Sequence, residues 1–86
     1  MKSEFMTKHS KILIKVYSME GMTIKEVFLH LSMSSTAFYK AKADLIEDGL
    51  IKVVPSERGR KLYLTEQGKE IAEKLLEVVK EVGEAV

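Results

Sequence analysis

Cysteine and asparagine are absent, and glutamine and proline each occur once. Without cysteine the chain has no disulfide and no thiolate ligand for a metal. Its two histidines, His9 and His30, have no carboxylate between them at ligand spacing, so neither a metal nor any other cofactor is expected. Long apolar runs are missing as well. The longest uncharged stretch, Val27 to Tyr39, is 13 residues and carries His30, Ser32, Ser34 and Ser35, whereas a bilayer span needs roughly 20 apolar residues. The first residues mix charge signs ahead of any apolar segment, which is not a secretory pattern, so a cytoplasmic protein with no membrane contact is expected. At 86 residues, 1–86 reads as a single domain. A domain of this size buries only a little over about 60% of its unfolded surface. With disulfide and metal excluded, association between copies is the remaining source of added stability.

What is present is charge, and it is divided along the chain. The formal net charge is only +1, but residues 1–65 hold 11 Lys/Arg against 7 Asp/Glu, and residues 66–86 hold 3 against 6. A basic body with an acidic terminal segment suits a polyanion on one side and a different contact on the other. Abundant lysine and glutamate, with almost no amide side chains, also fit a thermophile.

Apolar periodicity divides the chain into five segments. Ile12, Leu13, Val16 and Tyr17 share one helical face over Lys8 to Met19, ended by Gly21. Thr23-Ile24-Lys25-Glu26 has the form of a capping box, and Ile24, Val27, Phe28 and Leu31 continue the helix it opens. Ser34 caps a third helix, Ser34 to Asp48, whose buried stripe is Phe38, Ala41 and Leu45, with Gly49 closing it. Ile51 to Val54 reads as a strand stopped by Pro55, and Leu62 and Leu64 alternate with Lys61 and Tyr63 in a second strand. Between them Ser56-Glu57-Arg58-Gly59-Arg60 makes a basic hairpin tip. Thr65 caps a last helix, predicted over residues 66–86, with two adjacent apolar seams: Ile71, Leu75, Val78, Val82 and Ala85, and beside it Ala72, Leu76, Val79 and Val86. One domain body covers one seam. The second calls for another surface, most simply the same helix of a second copy.

Two close helices followed by a β-hairpin form a helix-turn-helix with an appended ribbon. The outward face of the third helix, Thr36, Tyr39, Lys40 and Ala43 with Ser34 and Ser35 at its start, suits a major groove: hydroxyls donate to phosphates or base edges, Lys40 neutralises a phosphate or reaches guanine, and Ala43 permits close approach. The hairpin gains nothing structural from Arg58, Arg60 and Lys61 together, so a polyanion explains them better, with an arginine entering a minor groove. His30 reads as a surface residue, and His9 has no evident partner.

Leu45-Ile46-Glu47-Asp48-Gly49-Leu50-Ile51, then a basic hairpin, then Leu62-Tyr63-Leu64-Thr65-Glu66-Gln67-Gly68, resembles the winged helix-turn-helix of MarR-like transcription regulators and is similar to PadR-like ones, over about Met22 to Leu76. Small winged-helix proteins of archaea and their viruses look similar too, and for a virus-encoded member the location would be the host cytoplasm. The resemblance implies an α+β, mostly helical fold: a three-helix core, a β-hairpin wing and a long C-terminal dimerisation helix. It also implies a homodimer that binds double-stranded DNA. The wing is about three residues shorter than the MarR-like pattern, and the flanking helices that build the dimer and effector cleft in typical members are missing. Dimerisation then falls to Ile71, Leu75, Val78 and Val82, with Phe5 and Met6 of an N-terminal arm over residues 1–7. A small-molecule effector is not expected, though the sequence leaves one open.

The expected function is therefore a sequence-specific regulator, a repressor by occlusion, acting as a homodimer on a palindromic site. No nucleophile elbow, phosphate loop or metal pair points to an enzyme. The first rival is a winged helix used for protein contact, which would not need the arginine-rich tip. The second is a DNA-packaging protein, for which a pI well above 7.9 would be expected.

Overall fold

The computed structural model describes residues 7–85, with side chains from Thr7 to Val78. Helices α1 (Lys8–Ser18), α2 (Ile24–Leu29) and α3 (Ser35–Glu47) are followed by strands β1 (Ile51–Ser56) and β2 (Gly59–Leu64) and by a long helix α4 (Glu66–Ala85). This is a mostly helical α+β fold with one antiparallel hairpin.

Local chemistry sets each boundary. Thr23 accepts a hydrogen bond from the Glu26 backbone while the Glu26 carboxylate accepts from the Thr23 N–H, completing the capping box at the start of α2. Ser34 caps α3 by accepting from Ala37 N–H at 3.1 Å. At its other end the Leu50 N–H returns to the Leu45 carbonyl and the Gly49 N–H to Ile46, with Gly49 at φ +74°. These are the paired bonds of a Schellman motif, which needs a left-handed residue at that position.

The core gathers Ile12, Leu13 and Val16 of α1, Val27 of α2, Phe38, Ala41 and Leu45 of α3, the strand residues Ile51, Leu62 and Leu64, and Ala72 of α4. The Phe28 and Phe38 rings meet edge to face at 5.2 Å. The ladder runs from Ile51 opposite Leu64 to Ser56 opposite Gly59, so the loop is only Glu57-Arg58. Pro55 does not stop β1 as its sequence suggests. It lies opposite Arg60 near the tip of a two-stranded ribbon, where a strand position without a donor is tolerated. The last helix runs unbroken from Glu66 through Gly83 to Ala85, within the span predicted for it.

Two joints tie these elements together. Gly21 N–H donates to the Leu62 carbonyl and Leu62 N–H to the Met22 carbonyl, so β2 is bonded on both edges. Thr65 Oγ1 donates to the Gly49 carbonyl at 2.6 Å and accepts from Gly68 N–H at 3.1 Å, which docks the first turn of α4 onto the end of α3. Gly68 is buried there, and a Cβ on it would collide with the Leu50 carbonyl.

Candidate nucleic-acid interface

Helix α3 turns Phe38, Ala41 and Leu45 inward, which leaves Ser35, Thr36, Tyr39, Lys40 and Ala43 exposed on the other side. Tyr39, Lys40 and Ala43 lie three, four and seven positions after Thr36, one continuous face of the helix. Ser34 is exposed too, with its hydroxyl engaged as the cap. The Tyr39 ring packs edge-on against Phe38 at 5.2 Å, yet half of the residue remains open to solvent.

The wing and this helix border one open cleft of about 400 Å³. Tyr39 and Lys42 supply its α3 side, Thr23 to Lys25 the start of α2, and Arg58 to Arg60 the wing tip. Four cations and no carboxylate line it. The acids of α3 are directed elsewhere: Asp44 meets His9 of α1, Nε2 to Oδ2 at 2.9 Å, and Glu47 and Asp48 lie at the far end of the helix. His9 thus has a partner, which sequence did not reveal because the pair spans 35 positions. His30 is exposed, its Nδ1 2.8 Å from the Glu26 carbonyl.

The expected wing residues are not brought together as a set. Arg58 and Arg60 reach the cleft; Lys61 does not. Alternation along β2 puts Lys61 on the opposite face of the ribbon from Arg60, and it is partly buried where β2 meets the segment before α2. Conversely, Lys25 and Lys42 belong to the cleft and were not singled out from sequence. Their signal was faint: Lys42 lies one turn beyond Tyr39, toward the wing side of the outward face.

On α4, Ala72 is buried, while Ile71 and Leu75 are partly buried and lean on the chain's own core. The sharp division into one seam for the core and one for a partner therefore does not hold at these two residues: the helix axis places the core contact between the seams. Val78 is 40% exposed. Phe5, Met6 and the Val82 side chain lie outside the described residues. Among those described, no group of three or more His, Asp or Glu could hold a metal ion, and no helix is long and apolar enough to cross a membrane.

Residues 11–68 match the family model described as F-93, winged-helix domain. Protein F-93 of Sulfolobus spindle-shape virus 1 is 37% identical over 62 residues, covering 67% of each chain. The crystal structure of F-93 from that virus superposes with a TM-score of 0.80 over 100% of both chains, at 29% identity. A MarR transcriptional regulator from Methanosarcina mazei Go1 also gives a TM-score of 0.80, at 22% identity, over 91% of this chain and 53% of its own. The chain thus spans about half the length of that regulator, and the likeness between the two is one of fold. A family model matching two-thirds of the sequence, a viral relative and a shared architecture lead to one statement: this chain belongs to the F-93 winged-helix family.

Proposed function

We propose that this protein is a sequence-specific regulator of transcription that binds double-stranded DNA as a homodimer and represses by occluding a palindromic site. One observation carries the reading: Tyr39 and Lys42 of α3 and the two wing arginines border a single open cleft lined by four cations and no acid. A helix face of hydroxyls, one lysine and one alanine suits base edges, and an arginine-bearing loop beside it suits the adjoining minor groove. Regulators among the structural neighbours, such as the one from Methanosarcina mazei, support the same direction. In this reading Ser34, Ser35, Thr36, Tyr39, Lys40 and Ala43 face the major groove, and Arg58 and Arg60 serve the wing. Lys61 contributes charge at the ribbon's other face. The exposed Val78, on the part of α4 beyond the core-packed Ile71 and Leu75, forms the contact between subunits, so that two α3 helices enter successive major grooves about 34 Å apart.

Selection of bound duplexes from a random pool tests this. Enrichment of an inverted repeat with half-sites about one helical turn apart is the expected result. Uniform retention of the pool would favour a packaging protein, and no retention a protein-contact module; either refutes the operator reader.

A further inference from the structure

Lys42 is the least ordinary cation of the cleft. Its ammonium nitrogen lies 5.1 Å from the centre of the Tyr39 ring, and the residue is partly buried while lining the cleft. Burial, and after it the positive charge of Arg60, holds the Lys42 pKa below the usual lysine value. Arg60 comes within reach because strand alternation sets it on the same ribbon face as the buried Leu62 and Leu64. Arg58 has different company. It occupies the two-residue loop, and its charge favours the ionised form of Glu26, the carboxylate that closes the capping box of α2. Arg58 therefore has an opposite charge nearby in its own chain. Lys42 and Arg60 oppose each other instead, at a cleft whose lining holds no acid. Two cations so placed raise the energy of the free protein, and an entering anion relieves it.

We propose that Lys42 and Arg60 jointly seat one phosphodiester of the DNA backbone, where the strand passes from the groove read by α3 to the groove entered by the wing, leaving Arg58 at the loop apex for the minor groove itself. This rests on the regulator reading and assigns a task to each wing arginine. The open form of the cleft suits a polymer that passes through rather than a ligand that is enclosed. A phosphate offers several acceptor oxygens, so it takes charge-assisted bonds from both side chains at once. It nevertheless releases the counterions of a single phosphate.

That last point supplies the test. Binding of the full chain to its selected duplex and to random duplex is measured at several salt concentrations for wild type, Lys42→Met, Arg60→Met, Arg58→Met and the paired variants, each with a thermal melt to establish folding. Methionine keeps an apolar stem beside Tyr39 and removes the charge. Lys42→Met and Arg60→Met should each weaken binding about tenfold on both duplexes. Together they should be less than additive, with the slope of log K against log salt reduced by about one unit in the double variant. Arg58→Met should instead add its full effect to that of Lys42→Met. Slopes unchanged in both single variants, a loss of about two units in the double, or coupling of Lys42 to Arg58 in place of Arg60 would each overturn the seat while leaving the regulator reading intact. No binding by wild type would overturn both.

Discussion

Gly68 shows how one hydrogen in place of a methyl group decides a fold. In an exposed helix interior, glycine to alanine stabilises by about 1 kcal/mol. Here the added Cβ would meet the Leu50 carbonyl, so the sign reverses. Gly68→Ala should cost about 2 kcal/mol and lower Tm by roughly 10 °C, readable by circular dichroism. A raised Tm would mean that α4 does not approach the Leu50 carbonyl this closely. Glu26 makes a second case. Hydrogen bonds from the Thr23 backbone and hydroxyl hold its carboxyl below the usual range, opposed by some desolvation and aided by Arg58 and His30. A carboxyl with a lowered folded pKa contributes stability above its unfolded pKa and loses it as pH falls through the folded value. Wild type should therefore lose stability below about pH 5 more steeply than Glu26→Gln, as followed by denaturant midpoints across that range.

At the scale of elements, the proposed division of labour between α3 and the wing has a clear signature. Thr36→Ala and Tyr39→Ala should shift which sequences are selected, because both side chains lie on the face assigned to base edges. Equal losses on selected and random duplexes would move them to a backbone role. Signals confined to a few neighbouring residues could be read in the sequence: the capping box at Thr23, the Ser34 cap and the closure at Gly49, which has φ +74°. The face of α3 was legible too, since periodicity alone separates Phe38, Ala41 and Leu45 from Thr36, Tyr39 and Lys40. Pairings made by tertiary packing were not. The bonds from Gly21 and Met22 to Leu62, the contact of His9 with Asp44, and the meeting of Lys42 with the wing join positions that carry no shared local pattern. Lys61 stands apart from the cleft for a related reason: adjacent charges in a strand look like one cluster in sequence and are parted by the pleat in space.

Helix α4 alone runs for 20 residues, about 30 Å at helical rise. In the proposed homodimer the outer part of this helix carries the subunit contact, where Val78 is already half open. Val78→Asp would bury a charge in that contact and should yield monomers at micromolar concentration by sedimentation, with helical content unchanged. A wild type that sediments as a monomer under the same conditions would remove the two-fold operator from the proposal. The welded joints at Leu62 and at Thr65-Gly68 have a mechanical corollary. One joint ties α4 to the end of α3 and the other ties the hairpin to the segment before α2, so in the proposed dimer a tilt of α4 would carry α3 with it. A pair of such bodies would adjust to a spacer that is too long or too short by pivoting about their common crossing, as calipers do, and not by flexing a jaw.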